Sequence, residues 1–287
     1  MKPDPEKIRR VVEDALAEDG ASDDVTSSYL ELVDYTAEAS IVAGTPGVVA
    51  GIDVAATVFR CADPDIRYDT RVTDGDSIAP GDVAVRLEGR AGAILAGERV
   101  ALNFLQRLSG IATQTRRFVD AAAGSEVRIL DTRKTTPLIR ALEKYAVTVG
   151  GGYNHRFNLS DLILVKENHL RTIGGVDALR KRLRQRKPQQ RIEVEVDSIE
   201  ALGMLLGAPV DRIMLDNFTP DEIRTAVSRI GKASRRDGTF RPVIEVSGGV
   251  TLENVEQYCI EGVDDISVGA LTHSATPLDF SLEVLER

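Results

Sequence analysis

The chain has 287 residues, 43% of them hydrophobic, so it can bury a large core as one large domain or two ordinary ones. Its formal net charge of -9 argues against a nucleic-acid or membrane-surface binder, because such proteins usually carry a net basic face. No apolar targeting segment or long apolar span stands out, and Cys61 and Cys259 lack metal or redox spacing. We therefore expect a cytoplasmic protein without nucleic-acid or membrane partners.

The first 110 residues predict a small α+β sandwich domain. A helix is expected from about Pro3 to Glu18, and short β-like runs follow at 38–44, 47–52 and 82–95. The last run could suggest a lipoyl- or biotin-carrier sheet, but no lysine for attachment lies between Lys7 and Lys134. We predict a domain over residues 1–110, on which a C-terminal tail, 276–287, packs back.

From residue 111 to 275 the pattern changes to an alternation of short β-branched runs and helical stretches. The runs lie at 126–134, 162–169, 191–198, 211–217, 242–249 and 264–273. Such alternation is typical of parallel βαβ units, and six or more in succession predict an incomplete βα barrel, with fewer strands than the usual eight. A doubly wound open sheet is the structural alternative.

Polar side chains follow each of these runs, where the strands of a barrel would end on one face. One charged residue after a strand is usually a helix cap or a solvated turn, but six such ends in a row indicate a shared pocket. The residues concerned are Asp131, Arg133, Lys134, Lys166, His169, Glu195, Asp197, Asp216, Asn217, Ser247, Gly248, Gly249, Gly269 and His273.

A local excess of cations stands out in this acidic chain. Arg133 and Lys134 follow one run, Lys166 follows the next, and between them the stretch GGGYNHR carries His155 and Arg156. This clustering predicts a site for a polyanion or polycarboxylate. The glycines of that stretch do not follow the P-loop pattern, so we expect them to turn the chain and deliver His155 and Arg156 to the ligand.

Two acidic residues and two glycine turns suggest the remaining parts of the pocket. Glu195 and Asp216 are hard oxygen ligands suited to Mg²⁺ or to a sugar diol, although a structural salt bridge to nearby cations is an equally open interpretation. The stretches EVSGGVT and SVGALTH each place a glycine turn after a strand, where backbone N–H groups can bind phosphate. Paired phosphate loops after the last two strands recur in βα barrels.

Together these motifs resemble quinolinate phosphoribosyltransferases. The resemblance runs over nearly the whole chain through GERVALNFLQRLSGIAT, LDTRKTTPLIRALEKYAVTVGGGYNHR, ILVKENH, EVEVDS, LDNF and SGGVTLENV. It implies an N-terminal open sandwich and a seven-stranded α/β barrel. It also implies a reaction that joins quinolinate to phosphoribosyl pyrophosphate and gives nicotinate mononucleotide, pyrophosphate and CO₂, as a step in NAD biosynthesis.

The resemblance also assigns roles to residues of this sequence. It implies a homodimer or a hexamer of dimers in which Arg99 reaches into the neighbouring subunit's site, and it implies Mg²⁺ as cofactor, held directly or indirectly by Glu195 and Asp216. Lys134, Lys166, Glu195 and Asp216 would be catalytic. Quinolinate and phosphoribosyl pyrophosphate would contact Arg99, Arg133, Lys134, His155, Arg156, Lys166, Glu195, Asp216, Ser247, Gly248, Gly269 and His273.

Other functions stay open at the level of sequence. A barrel aldolase or lyase could use Lys166 as a Schiff-base nucleophile if that amine were neutral. A non-catalytic binding protein has no need for cations, acids and glycine loops at consecutive strand ends. Within the family, relatives associated with molybdate transport share much of the pattern, and a nicotinate-using enzyme would do similar chemistry without decarboxylation. The intact DTRK and GGGYNHR stretches favour quinolinate.

Overall fold

The computed structural model describes residues 2–185, 189–238 and 241–285. The chain forms two compact units. Unit 1 comprises Met1–Arg116, Lys134–Gly152 and Leu271–Arg287, and unit 2 comprises Arg117–Arg133 and Tyr153–Ala270. The predicted division of the chain into 1–110 and 111–275 stays a prediction, since these units follow compactness and not chain order.

Unit 1 is built around an antiparallel sheet. Its helices and strands are α1 (Pro5–Glu18), α2 (Val25–Tyr29), β1 (Thr36–Ala43), β2 (Gly47–Val48), α3 (Ile52–Ala62), β3 (Arg67–Thr70), β4 (Ser77–Ile78), β5 (Val83–Arg90), most of α4 (Ala91–Ala121), α5 (Arg140–Val149) and β12 (Phe280–Val284). Four strands pair in the order β12-β1-β5-β3, and β2 pairs with β4.

Strand β1 holds the four-stranded sheet together, because it pairs with β5 on one edge and with β12 on the other. Residues of the predicted tail 276–287 thus form part of this sheet, although 286 and 287 lie outside the described residues. Ala39, Ile41 and Ala43 of β1 are buried, as are Val58 and Phe59 of α3. The hydrophobic alternation of the strand and the apolar face of the helix therefore supply the core of unit 1.

The β-like run predicted at 82–95 is a strand only as far as Arg90, where α4 begins at Ala91. Alanine has low β propensity and the best helix propensity, so the Ala91-Gly-Ala93 stretch favours the helix over the strand. Helix α1 has Asp4 as its N-cap, and the Asp4 side chain accepts a hydrogen bond from the Glu6 N–H. No helix in the described part of the chain combines the length and apolar character that crossing a membrane requires.

Unit 2 is built around a parallel sheet. Its helices and strands are β6 (Arg128–Leu130), β7 (Ile163–Val165), α6 (Glu167–Ile173), α7 (Val176–Gln185), β8 (Ile192–Val196), α8 (Ile199–Leu205), β9 (Arg212–Asp216), α9 (Pro220–Asp237), β10 (Val243–Ser247), α10 (Val255–Tyr258) and β11 (Asp265–Ser267). The strand order is β6-β11-β10-β9-β8-β7, and a four-residue helix, α11 (Ala270–His273), follows β11.

Tyr153 takes the position of a seventh strand. It forms an isolated parallel bridge with Leu130 of β6, with its N–H donating to Ile129 and its carbonyl accepting from Asp131. These bonds use the edge of β6 that β11 leaves free. The predicted mixed α/β class with a separate antiparallel N-terminal sheet is confirmed. The parallel sheet has six strands and this one additional bridge, compared with about seven predicted strands.

A single contact shows that the sheet of unit 2 curls into a barrel. Nε2 of His155, two residues after Tyr153, lies 3.2 Å from Oε2 of Glu193 on β8. Five strand spacings separate these positions in the sheet order, which would be about 24 Å in a flat sheet. The two side chains can therefore meet only across the interior of a curled sheet, and the doubly wound alternative is wrong.

Gly150, the first glycine of the GGGYNHR stretch, lies where α5 ends and packs against α4. A Cβ at this position would lie 2.6 Å from Cβ of Thr115 and closer still to the carbonyl oxygen of Ala112. Its φ of -68° is ordinary. The glycine is therefore required for close helix packing and not for an unusual backbone conformation.

Replacing Gly150 with alanine should lower the free energy of unfolding by about 1–3 kcal/mol, because the added methyl group overlaps atoms of α4. Gly203→Ala is the matched control, since Gly203 lies in α8 with no atom within 4 Å of an added Cβ. This control should be neutral or stabilising by up to about 1 kcal/mol. Urea unfolding of both variants would decide, and equal stabilities would contradict the packing argument.

Candidate active site

The carboxyl ends of the strands of unit 2 bring together many of the residues predicted from the sequence. Asp131 follows β6, Lys166 follows β7, Glu195 lies near the end of β8, Asp216 ends β9 and Ser247 ends β10. Parallel strands that form one barrel end on the same side. Five different strands of unit 2 therefore bring predicted site residues to the same side of the barrel.

Asp131 organises the segment that carries His155 and Arg156. Its carboxylate is fully buried and accepts hydrogen bonds from Nδ2 of Asn154 at 2.6 Å and from the N–H of His155 at 2.8 Å. Both bonds are charge-assisted, which makes them stronger than bonds between neutral groups. Asp131 is thus an anchor for residues 154 and 155 and not a helix cap.

The two ring nitrogens of His155 contact different parts of unit 2. Nδ1 accepts a hydrogen bond from the N–H of Arg156 at 2.7 Å, and Nε2 lies 3.2 Å from Glu193 and 3.3 Å from Glu245. The side chain is 8% exposed and both carboxylates are fully buried. A ring held at both nitrogens has a fixed orientation.

The protonation of His155 is set by opposing effects. Burial lowers its pKa, but the close contacts and charges of Glu193 and Glu245 outweigh burial and raise the pKa to about 9. The hydrogen bond from Arg156 favours the neutral ring, because Nδ1 can accept it only without a proton. In either state Nε2 carries the hydrogen, and it lies within ion-pair distance of both carboxylates although neither contact has hydrogen-bond geometry.

The two glutamates beside His155 differ in their own protonation. Burial raises the pKa of Glu193, and repulsion from Glu245 adds to this effect. Burial also acts on Glu245, but His155 and Arg212 outweigh it and lower the pKa of Glu245 to about 2. Arg212 contacts Glu245 directly and lies 3.7 Å from Glu193. Glu245 is therefore a carboxylate at neutral pH, and Glu193 is the easier of the two to protonate.

Arg133 and Arg156 form a pair of neighbouring cations. Burial lowers the pKa of Arg156, and the positive charge of Arg133 lowers it further. Nη1 of Arg156 donates to the carbonyl of Leu162 at 3.2 Å, which fixes one side of the guanidinium group. Two guanidinium groups close enough to repel one another are suited to an anion with two negative groups.

Lys166 lies against Glu195, which is on the neighbouring strand. Their ammonium and carboxylate groups are in direct contact, and the Glu195 side chain is only 14% exposed. His169 accepts a hydrogen bond from the N–H of Lys166 at 2.9 Å and so fixes the start of α6. The structure thus contains the salt bridge that was one of the two interpretations of Glu195, and it gives His169 a capping role.

Asn217 and Gly248 meet at a tight corner formed by the ends of β9 and β10. Asn217 has a left-handed backbone with φ of 56°, its N–H donates to Ser247, and its Nδ2 donates to Asp216. Gly248 also has a positive φ, 91°, and a Cβ there would lie 2.6 Å from Cγ of Asn217. Only glycine therefore fits the turn that follows β10.

Inside unit 2, a cavity of about 320 Å³ opens where several strands begin. Its lining includes the first residues of β6, β9 and β11, namely Arg128, Arg212 and Asp265, and also His155 and Arg156. The interior of the barrel is therefore polar between this cavity and the strand ends, where aliphatic side chains would be usual.

Comparison with known proteins agrees with this geometry along the whole chain. Residues 24–109 match the model of the quinolinate phosphoribosyl transferase N-terminal domain, and residues 111–283 match that of the C-terminal domain. The chain belongs to the quinolinate phosphoribosyltransferase family. Members of this family are enzymes, and many relatives carry the name nicotinate-nucleotide pyrophosphorylase (carboxylating).

Three similar proteins illustrate how closely this family member follows its relatives. A probable nicotinate-nucleotide pyrophosphorylase (carboxylating) of Bacillus subtilis is 40% identical over 279 residues, covering 97% of this chain and 93% of that protein. The nicotinate-nucleotide pyrophosphorylase (carboxylating) of Mycobacterium leprae is 42% identical, with 88% and 91% covered. The structure of the nicotinate-nucleotide pyrophosphorylase from Francisella tularensis has a TM-score of 0.90 at 34% identity, covering 99% of this chain and 98% of that one.

Three of the predicted site residues of this family member lie in unit 1. Arg99 is an exposed residue of α4, with its side chain 59% accessible and 4.0 Å from Glu98. The carbonyl of Lys134 accepts a hydrogen bond from Thr272, and Nδ1 of His273 lies 2.6 Å from Oγ of Ser274. Lys134 and His273 are exposed.

The sequence interpretation missed the buried charged residues within the strands of the quinolinate phosphoribosyltransferase barrel. Glu193, Arg212, Glu245 and Asp265 lie before the strand ends, and all share the inner face. The signal was present, because a charged residue inside the apolar run of a parallel strand is costly unless it is paired. Only the curl of the sheet shows which of these residues meet.

Replacing Gly248 with alanine should lower the free energy of unfolding by about 1–3 kcal/mol more than the same change at Gly249. The reason is that the added methyl group overlaps Asn217 at position 248 but not at position 249. Both glycines have positive φ, so the cost of a left-handed alanine largely cancels in the comparison. Phosphoribosyl transfer should also fall more in Gly248→Ala. Thermal unfolding and rate measurements that fail to distinguish the two variants would refute the role of the corner.

Proposed function

We propose that this chain transfers the phosphoribosyl group from phosphoribosyl pyrophosphate to quinolinate and gives nicotinate mononucleotide, pyrophosphate and CO₂. The observation that carries the proposal is the pair of neighbouring guanidinium groups, Arg133 and Arg156, in the barrel of a quinolinate phosphoribosyltransferase. Quinolinate is a pyridine with two adjacent carboxylates. Two forked cations can bind such a dianion and fix its orientation at the same time.

The chemistry of the transfer explains why the proposed set of site residues includes no nucleophilic triad. The ring nitrogen of quinolinate has a lone pair and attacks C1 of the ribose while the bond from C1 to pyrophosphate breaks. No proton has to be removed to start this step, so a general base is not required. The protein's task is to hold the nitrogen in line with C1 and to stabilise the departing negative charge.

Decarboxylation follows from the positive charge on the pyridine ring that this transfer produces. Once the ring nitrogen is bonded to ribose it is positively charged, and the carbon at position 2 can lose CO₂ because the pair of electrons left behind lies next to that charge. A proton then replaces the carboxyl group. We propose Lys134 and Lys166 as the residues that act on this part of the ring, and the contact of Lys166 with Glu195 supports this placement because it fixes the lysine side chain at the strand ends.

The residues for the phosphoribosyl group and Mg²⁺ come from neighbouring strands. Glu195 on β8 and Asp216 on β9 offer the hard carboxylate oxygens that Mg²⁺ prefers, so the donor set fits the ion. When bound, Mg²⁺ would neutralise charge on the pyrophosphate as it leaves. Glu195 also binds Lys166, so we propose that Asp216 is the freer ligand, with contact to the ion direct or through water.

We propose that the glycine turns after β10 and β11 bind the phosphates. The turn at Ser247 and Gly248 lies beside Asp216, so its backbone N–H groups would serve one phosphate, and Gly269 and His273 would serve the second turn. Arg99 is exposed on α4, which supports a site completed by the Arg99 of a second subunit in a homodimer or hexamer of dimers. The expected cytoplasmic location stays a prediction.

A Schiff-base aldolase or lyase is disfavoured by one observation. Lys166 is in contact with the Glu195 carboxylate, and an ammonium group held by a carboxylate does not attack a carbonyl. Borohydride treatment with a carbonyl substrate should therefore leave Lys166 unmodified.

The purified protein should form nicotinate mononucleotide and one equivalent of CO₂ from quinolinate, phosphoribosyl pyrophosphate and Mg²⁺. Nicotinate should react about tenfold to a hundredfold more slowly, because it lacks the second carboxylate for the arginine pair. Removing Mg²⁺ with a chelator should suppress product formation. The assignment fails if nicotinate gives product and quinolinate gives none.

Arg133→Ala and Arg99→Ala should each reduce quinolinate use by more than about tenfold, because each removes a charge-assisted contact. If Arg99 acts across subunits, mixing the two variants should restore about a quarter of the wild-type rate, since half of the dimers are mixed and each has one intact site. Mixing Arg133→Ala with Arg156→Ala is the control and should restore nothing, because both residues belong to one chain's site. No recovery with Arg99→Ala, with mixed dimers shown to form, would exclude the shared site.

A further inference from the structure

A cluster of six charged residues lies in the interior of unit 2, and all of them except Arg128 are buried or half-buried. Its members come from β6, β8, β9, β10, β11 and the segment after Tyr153, and they are Arg128, Glu193, Arg212, Glu245, Asp265 and His155. Barrel interiors are usually filled by branched aliphatic side chains, and burying charge is costly unless each charge is paired. Filling space alone therefore does not explain why these charged residues are present.

The pairing within the cluster is uneven. Asp265 is held by Arg128 at 2.7 and 3.0 Å and by Arg212 at 2.7 Å, and Glu245 is held by Arg212 and His155. Glu193 is fully buried, and its nearest charged group is Nε2 of His155 at 3.2 Å, with Arg212 farther away at 3.7 Å. Among the residues that the structure describes, neither carboxylate oxygen of Glu193 has a hydrogen-bond partner, so its contact with His155 is an ion pair. The main contact of Glu193 is thus with His155.

His155 connects this cluster to Arg156, one of the two neighbouring arginines. Its Nε2 contacts Glu193 and Glu245, whereas its Nδ1 accepts the N–H of Arg156 at 2.7 Å. If the ring rotated away from the carboxylates, it would also lose its bond to the Arg156 backbone. The orientation of the ring and the position of Arg156 are therefore coupled through one rigid group.

We propose that Glu193 and Glu245 are positioning residues for the dicarboxylate site, acting through the His155 ring to hold Arg156 beside Arg133. The proposal rests on the proposed function, because it takes quinolinate to be the anion that the two arginines bind. It gives His155 a positioning role, since both of its ring nitrogens face protein groups.

The same three residues also have the donor set of a cation site, since His155, Glu193 and Glu245 offer ligand atoms within 4.8 Å of one another. The guanidinium group of Arg212 argues against this interpretation. It already contacts Glu245 and lies 3.7 Å from Glu193, so a divalent ion between the carboxylates would be placed next to a fixed positive charge. A proton on Nε2 meets the same carboxylates without that repulsion.

Glu193→Gln is the clearest test, because the amide keeps the volume of the side chain and removes the charge that holds His155. Glu245 is a less specific choice, since it also pairs with Arg212. The KM for quinolinate should rise about tenfold or more, whereas the KM for phosphoribosyl pyrophosphate should change less than about twofold. Glu193→Gln/Glu245→Gln should show a larger rise in the same KM.

Val194→Ala is the matched control for lost stability. Val194 is fully buried on the same strand, and its side chain points to the opposite face of the sheet. It should lower the melting temperature and leave both KM values within about twofold of wild type. If Glu193→Gln lowers the melting temperature but, like Val194→Ala, leaves the quinolinate KM unchanged, the positioning role is wrong.

A second measurement does not depend on activity. The chain has three histidines, so the nitrogen NMR signals of His155 can be assigned by comparison with His155→Gln. The wild-type ring should show a proton on Nε2 whose signal is shifted by the two neighbouring carboxylates, and this shift should be lost in Glu193→Gln/Glu245→Gln. An unchanged shift would overturn the link between cluster and ring, whereas a wild-type protein that makes no product from quinolinate would contradict the proposed function instead.

Discussion

The contact between His155 and the two buried glutamates is the interaction on which unit 2 depends. Tyr153 supplies one bridge where a seventh strand would stand, so backbone hydrogen bonds alone hold that side of the barrel weakly. His155 reaches across the interior to β8 and β10 and joins the two sides by charge. Removing one member of such a buried pair leaves an uncompensated charge, which is far more costly than the pair is stabilising.

This arrangement also separates two tasks that the strand ends perform. Residues at the ends, such as Arg133 and Lys166, are half-buried and exposed enough to meet a ligand, whereas Glu193 and Glu245, which lie earlier on their strands, are sealed from water. Low polarizability of the surroundings strengthens the electrostatic interactions of the inner layer. A fixed inner layer can hold flexible arginine and lysine side chains in a geometry that they would not keep by themselves.

Much of the fold and part of the site could be predicted from the sequence. The βα alternation after residue 110 predicted the parallel barrel, because short β-branched runs between helical stretches leave few other topologies. The resemblance to the family assigned Arg133, Arg156 and Lys166 to the site, and this assignment stays a prediction. The start of α4 at Ala91 was not predicted, because an alanine- and glycine-rich continuation of a strand gives no clear break in hydrophobic pattern.

The inner layer was harder to predict for a physical reason. Glu193 and Glu195 alternate along one strand and look alike in sequence, yet the first is fully buried with His155 and the second contacts Lys166. Their different roles depend on the curl of the sheet and on the register between β7, β8 and β9. Neither property is encoded within one strand, so periodicity identifies the shared face but not the partner.

The pairing of β12 with β1 has a consequence for how the protein folds. Phe280 pairs with Ala43, so the four-stranded sheet of unit 1 is complete only after nearly all of the chain has been synthesised. Contacts between such distant parts of a sequence slow folding, because the loop between them must be closed first. Until β12 arrives, β1 presents an unpaired edge, which is a template for association between chains. Unit 1 is therefore the part of this protein in which nascent chains most need protection.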